Sequence, residues 1–240
     1  MKVIAHRGNS AHYPENTPAG WDSAFAHRAH AIEADIRFSA DGVGICAHDP
    51  ALQRLFKRDE RTAELSYAEL ASLAGAQGET ISLYTDVLAY VRKGQSVVLD
   101  LKEESPAALE GVWQAIDQRV PHDRRPLIVV GCHSLAAVEY FAARGGVTIL
   151  GLIPTPDVAA EVFQAGATTI RLWERDVTSL LVEQLQALGA QVWVTTGGEP
   201  TGRRVGDTDQ QSLAALHRAG VEGVLVNDVP LVNTLLEALQ

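Results

Sequence analysis

Eight short apolar segments recur along the chain with amphipathic stretches between them, and this rhythm leaves few folds open. The segments lie near residues 2–5, 32–37, 97–101, 127–131, 148–152, 168–172, 191–195 and 223–226. Most are followed by a helical pattern with its own start signal. Thr17-Pro18 and Ser105-Pro106 each put a capping hydroxyl before a proline, which predicts helices over 19–29 and from 106 to about 119. Ser66-Tyr67-Ala68-Glu69 has the form of a capping box. Later helices are expected at 134–143, 156–165, 177–188, 209–218 and 229–239, and Gly94, Gly145, Gly166, Gly189 and Gly220 stand where helices end. Strands that alternate with helices imply a parallel sheet. Eight such units close into a (β/α)8 barrel of the TIM type, with an open doubly wound sheet as the runner-up. The 240 residues suit one barrel, so 1–240 is expected to form a single domain.

Composition narrows the partners. With 46% hydrophobic and 21% charged residues the chain reads as an ordinary globular protein. No apolar run approaches the roughly 20 residues needed to span a bilayer, so stable membrane insertion is not expected. The chain opens directly on Lys2-Val3-Ile4, without a basic leader and apolar stretch, which predicts a cytoplasmic location. A formal charge of −10 disfavours nucleic acid, whose phosphates the protein as a whole repels. Cys46 and Cys132 are far apart and are expected to be reduced core thiols.

The chemistry concentrates at strand ends. Val3-Ile4-Ala5 stops at His6-Arg7-Gly8. In Ile32-Glu33-Ala34-Asp35-Ile36, side chains alternate faces, so Glu33 and Asp35 point the same way while the isoleucines fill the other face. Two ionised carboxylates on one face repel, and a bound cation keeps both charged. Asp41-Gly42 signals a turn, and Val43 to Ala47 returns as a strand that carries His48 back toward those carboxylates. A third strand ends in Asp100-Leu101-Lys102, whose two charged residues share a face. Three carboxylates with water and a phosphate oxygen suit Mg²⁺ or Ca²⁺. Histidine titrates near neutral pH and can take or give a proton. Arg7 can grip two phosphate oxygens, and Lys102 can sit against the charge that grows on them. Trp173-Glu174 follows the sixth strand and is expected to line the pocket. The segment from Asp49 to Leu83 interrupts the rhythm and reads as a decorated loop on the active-site side.

The stretch His6-Arg7-Gly8, Pro14-Glu15-Asn16-Thr17, Ile32 to Gly42 and His48-Asp49 resembles the amino-terminal signature of the glycerophosphodiester phosphodiesterases. A weaker likeness runs through Asp100-Leu101-Lys102 to Gly220-Val221-Glu222-Gly223 and Asn227-Asp228. The resemblance implies a TIM-type barrel and metal-dependent cleavage of a phosphodiester. It makes His6 and His48 the catalytic pair, and Glu33, Asp35 and Asp100 the ligands of a divalent cation. The family generally has glutamate where this chain has Asp100. Glu15 would reach inward to order the site, while Asn16 or Thr17 is expected to cap the first helix. His12, His27, His30, His122, His133 and His217 are assigned to surface or packing roles. Relatives often carry Trp-Thr-Val-Asn where this chain has Thr195-Thr196-Gly197-Gly198; the following glycine-rich loop reads as a phosphate cradle or, in preference, a lid.

The expected function is therefore hydrolysis of a small glycerophosphodiester, such as glycerophosphocholine or glycerophosphoethanolamine, to glycerol 3-phosphate and an alcohol. The neighbouring glycerol hydroxyl would attack first and give a cyclic phosphate. Two rivals are a phosphodiesterase acting on lysophospholipid head groups, and a barrel that binds phosphate ligands without turnover.

Overall fold

All eight apolar segments form strands within a residue or two of their expected places. In the computed structural model, which describes residues 1–239, ten strands form one sheet. They are β1 Lys2–Ala5, β2 Ala31–Phe38, β3 Gly44–Cys46, β4 Ser82–Leu83, β5 Ser96–Leu101, β6 Ile128–Cys132, β7 Thr148–Leu152, β8 Thr169–Trp173, β9 Gln191–Thr195 and β10 Gly223–Val226. β1 pairs in parallel with β10 on one side and with β2 on the other. The strands β1-β2-β5-β6-β7-β8-β9-β10 thus close into a ring of eight, which excludes the open doubly wound sheet. One helix of the outer layer follows each ring strand: Pro18–Ala26, Tyr84–Arg92, Pro106–Arg119, Leu135–Arg144, Ala159–Gln164, Ser179–Ala187, Gln210–Arg218 and Val229–Glu237. Tyr84–Arg92 has no start signal in the sequence because Leu83, at its N-cap, makes no side-chain capping bond. The stretch expected as a helix over 156–165 begins instead as a tighter 3-10 turn, Pro156–Val158.

Alternation sorts the strand residues into two layers. Val3, Ile32, Leu99, Val130, Ile170 and Val192 face outward and pack with Trp21, Ile116 and Phe141 between ring and helices. Ile4, Ala31, Val98, Val129, Trp193 and Leu225 fill the ring's interior. Further along the same inward faces, toward the carboxyl ends, the residues turn polar: Glu33, Asp35, Asp100 and Arg171. The packed layer lies between these groups and the amino-terminal end, so they face the carboxyl-terminal mouth.

β2 outruns the ring. Its last residues, Ile36 to Phe38, pair antiparallel with β3, and β3 pairs with β4. Gly44 allows this, since a Cβ there would lie 2.2 Å from the Tyr84 ring. After β3 the chain builds a satellite core of Ile45, Leu52, Leu70 and Ile81 under the short helices Gln53–Phe56 and Tyr67–Ala71. The second of these has the expected capping box between Ser66 and Glu69. Both cysteines are buried and free. Among the described residues, no helix is long and apolar enough to cross a membrane.

Candidate active site

Where β1 ends, the backbone turns sharply. Arg7 has a φ of 58° and Gly8 one of 85°. A Cβ on Gly8 would lie 2.9 Å from the backbone of Gly20, so glycine lets this loop sit directly on the helix Pro18–Ala26. The turn aims the Arg7 backbone N–H at Glu33, which accepts it through Oε2 at 2.7 Å. It also sets the Arg7 guanidinium against Asp35, with Nε 3.3 Å from Oδ2, and against Glu15, with Nη1 3.3 Å from Oε2.

β2 and β5 pair with Asp35 directly beside Asp100. Glu33, Asp35 and Asp100 each offer a carboxylate oxygen, and these oxygens lie within 4.8 Å of one another. Glu33 and Asp35 are 1% and 0% exposed. Burying an ionised carboxylate costs several kcal/mol without compensation, and the compensation is unequal. Burial works against Asp35, yet Lys102 and Arg7 hold its carboxyl below the usual range. Burial also works against Asp100, but Lys102 and His133 bring it down. Burial, followed by the charges of Asp35 and Asp100, pushes Glu33 well up. Glu33 Oε1 is buried with no hydrogen-bond partner among the described residues. Lys102 Nζ lies 2.6 Å from Asp100 Oδ2 and 3.0 Å from Asp35 Oδ1, the second without the alignment of a hydrogen bond. An all-oxygen cluster with two oxygens, Glu33 Oε1 and Asp35 Oδ1, lacking a hydrogen bond among the described residues fits a hard divalent cation.

The two histidines reach the same cavity of about 420 Å³, together with Arg7, Arg54, Arg204 and Asn227. His6 Nδ1 is 2.8 Å from Asn227 Oδ1. Asn227 Nδ2 donates to Val205 O and Asp207 Oδ1, each at 2.8 Å, which fixes Oδ1 as the acceptor. His6 therefore carries its proton on Nδ1 and leaves Nε2 as the free lone pair. Burial, then the Arg7 charge, pushes His6 down to about 4. His48 is brought back as expected, since the N–H of Ala47 donates to Asp35 O at 3.0 Å. Its Nδ1 donates to Asp49 Oδ1 at 2.8 Å, and Arg54 braces Asp49.

Several of these residues have partners that the sequence did not show. Thr17 alone caps the first helix, accepting from the N–H of Gly20, whereas Asn16 does something else. Asn16 is buried with a φ of 58°; its Nδ2 donates to Asp35 Oδ2 at 2.8 Å, and its Oδ1 accepts from the Asp35 N–H at 3.1 Å. Glu15 does reach inward to Arg7, and its other partner is Arg54, which grips both oxygens at 2.7 and 2.8 Å. His133, assigned to a surface or packing role, is exposed and also puts Nε2 2.8 Å from Asp100 Oδ1. It follows β6 on the inward face, two positions after Gly131. The glycine-rich loop is no phosphate cradle: the N–H of Gly197 donates to Glu174 Oε2 at 2.6 Å and that of Gly198 to Arg203 O at 3.0 Å. Glu174 thus faces this loop, while Trp173 ends β8 half-buried and is not among the residues that line the cavity at His6 and His48.

One residue escaped the sequence reading altogether. Arg171, inward on β8, is 6% exposed, and its Nε and Nη1 have no hydrogen-bond partner among the described residues. Its Cζ lies 4.1 Å from the centre of the Trp173 ring. Burial pushes it down to about 10, so it keeps its charge at neutral pH.

Known proteins share both the sequence signature and the shape. Residues 6–145 match the glycerophosphoryl diester phosphodiesterase family. A Mycobacterium tuberculosis protein named "Probable glycerophosphodiester phosphodiesterase 1" is 34% identical over 109 residues, covering 41% of this chain and 38% of its own. Glycerophosphodiester phosphodiesterase 1 of Mus musculus is 28% identical over 131 residues, covering 49% of this chain and 40% of its own. The matches thus span well under half the length of these two relatives. Among solved structures, an Oleispira antarctica phosphodiesterase in complex with the product sn-glycerol-3-phosphate superposes with a TM-score of 0.84 at 20% identity, covering 99% of this chain and 97% of that one. A Thermotoga maritima glycerophosphodiester phosphodiesterase gives 0.79 at 21% identity, covering 98% of each. These structures share the barrel. The family match covers the first loop, the β2 carboxylates and the Asp100–Lys102 strand end, and with it the chain belongs to the glycerophosphoryl diester phosphodiesterase family.

Proposed function

We propose that the chain hydrolyses glycerophosphodiesters to glycerol 3-phosphate and an alcohol, with Mg²⁺ or Ca²⁺ held by Glu33, Asp35 and Asp100. The observation that carries this reading is the convergence of those carboxylates with His6, His48, Arg7 and Lys102 at one mouth of the barrel. When bound, such a cation polarises the phosphoryl group and steadies the charge on its oxygens. Arg7 and Lys102 flank the same position and supply fixed positive charge.

The hydrogen bonds around the imidazoles support separate roles. His6 Nε2, unprotonated because Nδ1–H faces Asn227, takes the proton of the neighbouring glycerol hydroxyl. That oxygen attacks phosphorus while the bond from phosphorus to the departing alcohol oxygen breaks. His48, oriented through Nδ1 by Asp49, gives the departing oxygen its proton from Nε2. A cyclic phosphate remains. Water then opens it: His48 takes the water proton, and His6 returns its own to the glycerol oxygen.

The test is turnover. The purified protein is incubated with glycerophosphocholine, glycerophosphoethanolamine and glycerophosphoserine, and glycerol 3-phosphate is measured before and after EDTA. Product that disappears with EDTA and returns with Mg²⁺ or Ca²⁺ is expected. Absence of glycerol 3-phosphate from all three substrates with either metal present overturns the reading.

A further inference from the structure

Arg171 stands out in the barrel's interior: among the described residues its Nε and Nη1 lack hydrogen-bond partners, which is costly for a buried guanidinium, and the carboxylates of Asp100 and Asp176 offset that burial only in part. Its place is defined by three facts. On β8 it alternates with Ile170 and Leu172, which pack in the outer layer, so it faces inward with Trp173. In the ring, β8 stands fourth from β2 counted in either direction, directly across from Glu33 and Asp35. Its guanidinium leans toward the mouth, against the ring of Trp173 two residues further along. Beside Trp173 in register stands Thr195.

Trp173 on its own would offer an electron-rich face to a cationic alcohol such as choline. Here that face is taken. Arg171 lies 4.1 Å from the ring centre and Arg175 5.9 Å. A quaternary ammonium approaching the ring meets two like charges. An anion meets a planar donor with Nε and Nη1 both unpartnered in a low-dielectric site.

The geometry points to Arg171 as a specificity residue for a negatively charged group on the alcohol arm of the substrate, received on the Trp173 side while the scissile phosphate lies across the mouth at Arg7, Lys102 and the carboxylates. The chemical class is a glycerophosphodiester whose alcohol bears a carboxylate or phosphate, in preference to choline or ethanolamine. This rests on the proposed hydrolysis and adds the substrate class to it.

Glycerophosphoserine and glycerophosphoethanolamine differ by one carboxylate and serve as the probe pair. Calorimetric binding and kcat/KM are measured for both on the wild type, Arg171→Met and Arg171→Lys. A charge-assisted hydrogen bond of the usual size gives the wild type roughly a 10- to 100-fold preference for the serine compound. Arg171→Met abolishes the preference, and Arg171→Lys restores part of it. Because Arg171→Met removes an unpaired buried charge, its Tm is expected to equal or exceed that of the wild type. Equal binding of the two compounds to the wild type, or a preference that survives Arg171→Met, overturns the proposal, as does a preference for glycerophosphocholine. Binding separates the two readings. A serine preference in binding without turnover of any compound sinks the hydrolysis and leaves the subsite; turnover without a serine preference does the reverse.

Discussion

His133 Nε2 meets Asp100 Oδ1 at 2.8 Å while Lys102 Nζ takes the other oxygen of the same carboxylate at 2.6 Å. The shorter side chain of Asp100 is therefore held from both sides, and register with Asp35 already brings it into the cluster. Groups that brace a ligand typically change metal affinity about 10- to 100-fold. His133→Ala is expected to weaken Mg²⁺ or Ca²⁺ binding by about that factor, and His133→Gln, which keeps a donor, to recover part of it. Calorimetric titration of the metal checks this. By the same geometry, Asp100→Glu should weaken binding, because its extra methylene pushes the carboxylate past Lys102 and His133. Tighter binding in Asp100→Glu would show that the site lacks reach.

The unlike surroundings of His6 and His48 predict unlike responses to the leaving group. His6→Ala and His48→Ala should each lower kcat on a glycerophosphodiester by roughly 10²- to 10⁴-fold. A nitrophenyl ester leaves without needing a proton. On that substrate the initial burst of nitrophenolate should regain most of its rate in His48→Ala, although opening of the cyclic phosphate stays slow, and in His6→Ala the burst itself should stay slow. The opposite pattern would exchange the two roles, and full activity in both variants would make the imidazoles structural.

Asn16 and Thr17 are neighbours with separate duties, and stability measurements can tell them apart. Asn16→Ala strips a buried donor and a buried acceptor from Asp35, so a loss of about 1–3 kcal/mol is expected in urea unfolding, with loss of metal binding. Thr17→Ala removes a helix cap worth about 1 kcal/mol and should leave metal affinity nearly intact. Equal metal affinities in the two variants would count against the role given to Asn16.

The Glu15–Arg54–Asp49 cluster has a pH signature. Burial raises Glu15 and Asp49, but hydrogen bonds from Arg54 to Glu15, and from His48 and Arg54 to Asp49, bring both below their ordinary values. A depressed folded-state value adds stability that is present above the unfolded carboxylate pKa of about 4 and lost as pH falls through the folded value. Arg54 is 46% exposed, and screening limits the gain to about 1 kcal/mol or less. Arg54→Met should therefore be modestly less stable than the parent at neutral pH and equal to it in strong acid. A gap that persists unchanged into acid would show that Arg54 acts through packing.

The fold was legible because its signal is local. Apolar runs such as Val97 to Leu99 and caps such as Ser105-Pro106 need no knowledge of partners. The carboxylates were legible for a related reason: Glu33 and Asp35 share a strand, and so do Asp100 and Lys102, so period two fixes their common face. What escaped depends on register between distant segments. Asn16 was assigned to the helix it precedes, since nothing local shows that Asp35 lies behind it. His133 did carry a usable signal, being a polar residue on the inward face just beyond a ring strand, as His6 is. Arg171 carried one as well, a lone charge at an inward position of an otherwise apolar strand. Its unpartnered state is visible only once the barrel is closed.

The ring is shut by pairing β1 with β10, and the His6–Asn227 hydrogen bond spans 221 positions of chain across that seam. This gives the molecule a temporal order. Within the barrel β1 is made before the other ring strands, yet it lacks one neighbour until β10 has been made. Contacts of such long separation are slow to form and arrive together with global closure. The hydrogen bond that sets the His6 tautomer is therefore part of ring closure itself, and the imidazole gains its Asn227 partner only when β10 is in place beside β1.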